Sequence, residues 1–481
     1  MTGTAASVGK NARWLAGAQA AKIVIQLVGL GILSRLLGPS DFGVMALAIV
    51  VTSLAGLLRD MGTGPAIIRA RELSATMVNS IFWVNMAMAT AVALLVVVLA
   101  VPIASLFDTA PLAHLLYALS LTFPVISFGA AHQALLERES RFHITTRADV
   151  LSYTGGLCAA IVAARFGMGA KSLVLQAIVQ ATLSSLQMFM ASPWRPSLSW
   201  DASEIRRIFS FSSNLTLSNL VLYLIRNTDS MIVGKTLGAV ALGPYSLAFR
   251  IMLSPLQNVS LIASKALYPV LSTHQADPER LGATWLESTS FVALITATLM
   301  GGLIALCEPF VTVALGQRWG EVARLLPWLA PVGFVQSVLS TAPVIFMVKG
   351  RTDVLLKLNI GMAGLHIACW LIGARWGVSG VAAGYLVATI VSAPLYLVTT
   401  ARLAGLPVAR LLRALGIQSG LGISVFTVTF AARSALEPFA LPPLALLLVA
   451  GLCGGLYGVW HVGRFSPDHM FALRRTFHLA S

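Results

Sequence analysis

Apolar residues gather into fourteen stretches along the chain. Each is close to the roughly 20 residues that a helix needs to cross a hydrocarbon core about 30 Å thick. They run approximately over 14–34, 42–58, 79–106, 112–136, 147–164, 170–191, 211–234, 240–265, 284–306, 325–348, 354–374, 378–400, 411–433 and 440–461. The second is short, and 211–234 is unusually polar. The connections are brief; the longest, about 192–210 and 266–283, are polar and contain Pro or Asp. The pattern predicts an all-α polytopic membrane protein of about 14 transmembrane helices, with no soluble domain interrupting the series. Lys22 sits inside the first stretch, where the apolar core of a cleavable signal would be uncharged, so that stretch is expected to stay as a helix.

Composition excludes the main alternative. Of 481 residues, 57% are hydrophobic and only 11% charged, against roughly a quarter charged in an ordinary soluble domain. So few charges cannot cover a water-soluble surface, which removes a soluble enzyme. The formal net charge is +15, yet the cations are scattered through short loops and form no patch for nucleic acid. With the N-terminus placed in the cytoplasm, segments on that side carry 22 Lys and Arg, the opposite side carries 8, and 3 fall inside the apolar stretches. The alternation fits the positive-inside rule for an even number of spans with both termini cytoplasmic. The four cysteines (Cys158, Cys307, Cys369 and Cys453) lie in or beside apolar segments without a C-x-x-C pair, so neither a metal site nor a disulfide framework is expected.

The chain also repeats itself. LLGPSDFGVMALA at 36–48 aligns with TLGAVALGPYSLA at 236–248, RADVL at 147–151 with RTDVL at 351–355, and ARFG at 164–167 with ARWG at 374–377. The offsets rise in order from 200 to 210, as small insertions after an old duplication would produce. Six spans separate the copies, so both halves point the same way across the membrane. The expected division is a six-helix lobe over 1–200, its repeat over 201–405, and two further helices with a cytoplasmic tail over 406–481. Parallel halves of this kind build alternating-access transporters with the substrate site between them.

Polar residues inside the bilayer suggest what such a site would hold. Lys22 shares a helix face with Gln19 and Gln26; Asn219, Arg226 and Asp229 are spaced by 7 and 3; Arg250, Ser254 and Gln257 by 4 and 3. Three cations exposed to lipid would cost roughly 8–10 kcal/mol on insertion scales, so these faces are expected to line a wet cavity. Local alternatives exist. Arg226 and Asp229 are spaced to pair with each other, Arg250 can snorkel from a helix end, and His132 and His366 read as packed interface residues. Set against Asp229 alone, Lys22, Arg226 and Arg250 make a cavity suited to an anion such as a diphosphate. No phosphate-binding G-x-x-x-x-G-K-[ST] loop occurs, and neither a catalytic set nor a cofactor is expected.

Three segments resemble one family. LSRLLGPSDFGVMALA at 33–48 is similar to the opening of Wzx-type polysaccharide flippases, ALLERESRF at 134–142 to the loop after their fourth helix, and RNTDSMIVGKTLGAVALGPYSLAFR at 226–250 to the same motif in their second half. The likeness implies the polysaccharide transporter branch of the multidrug/oligosaccharidyl-lipid/polysaccharide exporter superfamily, with two six-helix lobes forming a V around a central cavity. It implies an inner-membrane transporter that moves undecaprenyl-diphosphate-linked oligosaccharide units by alternating access, for exopolysaccharide, capsule or lipopolysaccharide O-antigen synthesis. A polymerase and a chain-length regulator would be its partners beside the membrane lipid. Lys22, Arg226 and Arg250, with Gln26, would face the diphosphate or acidic sugars. Arg59 would capture the headgroup at the cytoplasmic end, and Asp229 is the candidate for a coupling ion. The competing readings are a cation-coupled multidrug exporter, a peptidoglycan-precursor flippase of the same fold, and a non-transporting scaffold of an assembly complex. The exporter would need an acid in a lobe, and the first six stretches offer Asp149 alone, at the cytoplasmic edge of the fifth.

Overall fold

A computed structural model describes residues 21–60, 67, 74–201, 219–220, 223–273 and 277–465, with the backbone alone at 255–270. Gln19, Asn214 and the C-terminal tail beyond 465 lie outside these residues, as does the side chain of Gln257. Among the described residues every regular element is a helix. In the first half these are α1 (21–36), α2 (Pro39–Asp60), α3 (Ala75–Leu106), α4 (Pro111–Ser120), α5 (Thr122–Arg138), α6 (Phe142–Arg165) and α7 (Lys171–Ala191). There follow α8 (223–236), α9 (Gly238–Thr273), α10 (Pro278–Ala305), α11 (Cys307–Ala314), α12 (Gly320–Leu339), α13 (Ala342–Val348), α14 (Thr352–Gly373), α15 (Gly377–Leu403), α16 (Val408–Leu436) and α17 (Pro443–Phe465). Nine helical stretches among the described residues are long and apolar enough to cross a membrane. Three of the nine join two helices across a short break: α4 with α5, α12 with α13, and α14 with α15.

The chain forms two compact units, residues 1–243 and 244–481. The aligned motifs lie 200 positions apart, and the packing boundary falls after α8, in the first turns of α9. The reason is visible in the first unit. α2 and α9 start at aligned positions of the repeated motif, and a Cβ on Gly43 would lie 1.7 Å from the Ala239 carbonyl oxygen. Reciprocally, a Cβ on Gly243 would lie 2.1 Å from the Pro39 carbonyl oxygen. Pro39 aligns with Ala239 and Gly43 with Gly243, so each copy touches the other through the same pair of positions. That reciprocity defines a local two-fold relation between the helix starts. Backbones meet so closely only where a side chain is missing. Tyr223 adds a second tie, its hydroxyl donating to the Val50 carbonyl at 3.1 Å.

Asp41, in the first turn of α2, holds this corner to the turn between α6 and α7. One carboxylate oxygen accepts from the Gly38 amide and the other from the Ala170 amide, each at 2.9 Å. The turn itself uses Gly167 and Gly169 at φ +76° and +54°, conformations that side chains disfavour.

The polar segment after α7 is bound in place. Asn79 donates to the Ser197 and Ser199 hydroxyls at 2.6 and 2.8 Å and accepts from the Ser197 amide at 3.1 Å. The Trp83 indole donates to the Ser197 carbonyl at 2.8 Å, and the Asp201 amide to the Ser80 hydroxyl at 2.8 Å. Trp194 then closes an aromatic group of Phe82, Phe128, Phe189 and the fully buried His132. Arg195 lies 4.2 Å over the Phe189 ring.

In the second unit, Trp285, Phe346 and Tyr396 centre a core shared by α10, α13, α15 and the start of α16. Hydroxyl pairs cross between helices: Thr289 with Thr341 at 2.8 Å and Thr296 with Ser337 at 2.7 Å, while the Trp285 indole donates to Thr341 at 3.2 Å. Such bonds matter where lipid replaces water, because apolar burial alone does not draw helices together there. α16 and α17 present Ile423, Phe430, Leu452, Leu456 and Trp460 outward, the composition of a lipid-facing hairpin.

Candidate functional site

The predicted site residues divide between the two units. Lys22, Gln26, Arg59, Arg226 and Asp229 belong to the first, and Arg250 to the second. On α1, Lys22 is half-buried and Gln26, one turn on, is exposed. Arg59 is half-buried in the last turn of α2. Arg250 is exposed on α9, with Ser254 half-buried below it.

α8 differs from its expectation. Asn219 and Arg226 are exposed, but Asp229 is 1% exposed. Seven residues bring a helix almost back to the same face, whereas three leave it about 60° short, and that rotation turns Asp229 inward. Arg226 takes no part in the ion pairs among the described residues, so the local pairing that its spacing to Asp229 allows is not made. The cation stays open while the carboxylate goes inside.

Lys22 has a neighbour that helix spacing within α1 could not reveal. It lies close enough to Asp149 on α6 for the two charges to act on each other, and Glu137 on α5 acts on Asp149 as well. The helices touch: a Cβ on Gly29 of α1 would lie 2.6 Å from a methyl of Leu157 on α6. Asp149 is exposed, and Glu137 accepts from the Gln133 side chain at 2.8 Å. Asp149 thus has the Lys22 ammonium and the Glu137 carboxylate within electrostatic reach. The available signal was the parity of the spans, since the first and fifth run the same way and can bring equal depths together.

The two histidines lie in packed surroundings. Both ring nitrogens of His132 lack hydrogen-bond partners among the described residues. His366 meets the Met362 carbonyl at 2.8 Å and lies edge-on to Trp370 and Tyr385. Among the described residues no three His, Cys, Asp or Glu side chains gather as a metal site. Lys22 and Arg226 thus lie on helices of the first unit and Arg250 on a helix of the second.

Comparison with known proteins narrows the class. The chain is 27% identical over 385 residues to the lipopolysaccharide biosynthesis protein WzxC of Escherichia coli K12, covering 79% of this chain and 78% of that protein. It is 27% identical over 329 residues to the succinoglycan biosynthesis transport protein ExoT of Rhizobium meliloti, covering 68% and 67%. The fold is similar to that of the lipid II flippase MurJ in an inward closed conformation, with a TM-score of 0.72, 14% identity, and coverage of 95% of this chain and 99% of that one. A family profile described as polysaccharide biosynthesis protein matches residues 32–324, which is more than half of the sequence. This multi-pass membrane chain belongs to the polysaccharide biosynthesis protein family.

Proposed function

We propose that the protein is a transporter that flips undecaprenyl-diphosphate-linked oligosaccharide units across the bacterial inner membrane, with both termini in the cytoplasm. The observation that carries this reading is the set of cations on membrane helices, Lys22, Arg226 and Arg250, in a chain of this family. A charge at bilayer depth costs about 2.5–3.5 kcal/mol when it faces lipid, so a helix keeps one where water or an anionic ligand meets it. In this reading the repeat halves 1–200 and 201–405 are the two lobes, and 406–481 adds the outward-facing hairpin. Lys22 and Arg226 take the diphosphate, Gln26 donates to its oxygens, and Arg250 meets acidic groups. Arg59 receives the headgroup at the cytoplasmic end. Asp229, enclosed in α8, is the place for a coupling ion. The oligosaccharide passes to a polymerase and a chain-length regulator on the far side. Transport of this kind makes and breaks no covalent bond, and we assign the chain no catalytic residue.

Mass spectrometry of polyprenyl-diphosphate lipids in a deletion strain tests the reading. Complete lipid-linked repeat units should accumulate while secreted polymer is lost, and Lys22→Ala and Arg226→Ala should reproduce both effects with protein still in the membrane. Unchanged lipid intermediates with normal polymer would overturn it and favour export of drugs. Cavity variants that export normally, beside a deletion that does not, would point to a scaffold.

A further inference from the structure

The matched strings ARFG at 164–167 and ARWG at 374–377 have no part in the proposed function. They share one build. Each stands at the end of a helix, α6 or α14, where the chain turns into α7 or α15. The glycine of each is left-handed, with φ +76° at Gly167 and +74° at Gly377. Its amide donates to the carbonyl of the alanine three positions back, Ala164 or Ala374. A glycine so placed turns the chain off the helix end without a Cβ clash. The ring just before it stays at the outside of the corner: Phe166 is 82% exposed and Trp376 70%. Both corners are held firmly. The Ala170 amide donates to Asp41 at 2.9 Å. At the other corner, a Cβ on Gly373 would lie 2.3 Å from the Gly380 carbonyl oxygen, and one on Gly380 2.1 Å from that of Gly373.

The helices themselves indicate what covers these rings. Val162, one turn before Phe166, is exposed, as are Ile372, one turn before Trp376, and its neighbour Leu371. Each ring therefore ends an apolar outer surface, which on a membrane helix faces lipid. Depth follows from length and charge. The apolar stretches 147–164 and 354–374 make helices about 27 and 32 Å long, close to a hydrocarbon core about 30 Å thick. The rings then stand at its edge. Arg165 and Arg375, each exposed and immediately before its ring, set the same level. Neither makes an ion pair among the described residues. A guanidinium is costly in hydrocarbon and reaches out to the headgroups instead. We propose that Phe166 and Trp376 are matched membrane anchors, with their rings at the boundary between headgroups and acyl chains and Arg165 and Arg375 on the phosphates of the same phospholipids. Each anchor fixes the depth of its own corner in the bilayer.

Tryptophan quenching on the full-length protein in lipid nanodiscs tests each ring. The chain has 10 tryptophans, so each corner is read as a difference. The second corner is wild type less Trp376→Phe, and the first is Phe166→Trp less wild type. Both changes keep an aromatic ring at an exposed position, and elution at the wild-type volume in size-exclusion chromatography shows that the variants are folded. The probes are phosphatidylcholine brominated near the glycerol end of its chains, the same lipid brominated near the chain ends, and iodide in the water. The shallow bromines should quench each difference signal roughly two-fold more than the deep ones, and iodide should quench it far less than it quenches free tryptophan. Strong iodide quenching without bromine quenching would put the corner in water. A signal insensitive to all three would put it against protein, such as a second copy of the chain. Stronger quenching by the deep bromines would put the ring in the hydrocarbon. Each of these overturns the anchor. Arg375→Ala, measured against the same variant carrying Trp376→Phe, should let the ring sink and lower the ratio of shallow to deep quenching. An unchanged ratio would overturn the part given to the arginine.

Discussion

Asn79 holds the segment that follows α7 by three side-chain hydrogen bonds, two to serine hydroxyls and one from the Ser197 amide. Its side chain is 3% exposed, so removing it deletes all three bonds and leaves a small gap under the segment. Asn79→Ala should therefore lower stability by about 2 kcal/mol, read as a fall in the thermal unfolding midpoint in detergent. Lys235 and Asp108 make a contrasting pair. Their 2.7 Å contact is short, but the side chains are 48% and 76% exposed. Water and salt screen such a pair, so Lys235→Ala should change stability by less than about 1 kcal/mol. A larger loss for Lys235→Ala than for Asn79→Ala would reverse this ranking. Polar residues along the chain are easy to see in the sequence, whereas their weight depends on burial. Asn79 gave no sign of its importance, since its partners lie more than 100 positions away, and neither did the second tie of Asp41, to Ala170.

At the scale of elements, the crossing of α2 with the start of α9 is the most exacting contact in the first unit. A Cβ at Gly43 or Gly243 would overlap a backbone carbonyl, and backbone cannot turn aside as a flexible side chain can. Gly43→Ala and Gly243→Ala should each force the helices apart and cost about 2–4 kcal/mol, with less folded protein recovered from membranes. Alanine at Gly56, which has open space at its Cβ position, should be tolerated and is the control. Stability close to wild type in Gly43→Ala would mean that the crossing is looser than this geometry. The repeated motif was legible as a pattern of small and apolar residues. Its physical role, a reciprocal contact between the two copies, needed the coordinates. The same holds for α8, where a spacing of three read as one face and the fold turned Asp229 inside while leaving Arg226 open.

The whole molecule is set by the lipid around it. Nine described helical stretches meet the length and apolarity of a membrane crossing, and loop cations fall mainly on one side of the series. The positive-inside rule then argues that the chain ends in the cytoplasm. A green fluorescent protein joined after Ser481 should fluoresce, and alkaline phosphatase at the same place should be inactive. Active phosphatase there would invert the topology and, with it, the side from which Arg59 would meet a headgroup. The division into units at 243/244 differs from the repeat boundary near 200. Helix α8 and the first residues of α9 fall in the second half of the expected repeat but pack with the first unit.

Hydropathy, loop charge and the internal repeat are properties of short windows or of simple comparison along the chain. The sequence alone therefore determined an all-helical membrane protein and the motifs of a polysaccharide flippase, and it supplied the expected repeat and orientation. Helix periodicity also placed Lys22 with Gln26, because residues four apart on one helix must share a face. What only the tertiary structure decided were relations between distant segments. These are the Gly43 and Gly243 crossing, the docking of 192–201 on α3, the inward turn of Asp229, and the close approach of α1 to α6 at Gly29 and Leu157. No local rule contains them, because they follow from which helices pack together and at what depth, and that is settled by close contacts summed over the whole fold.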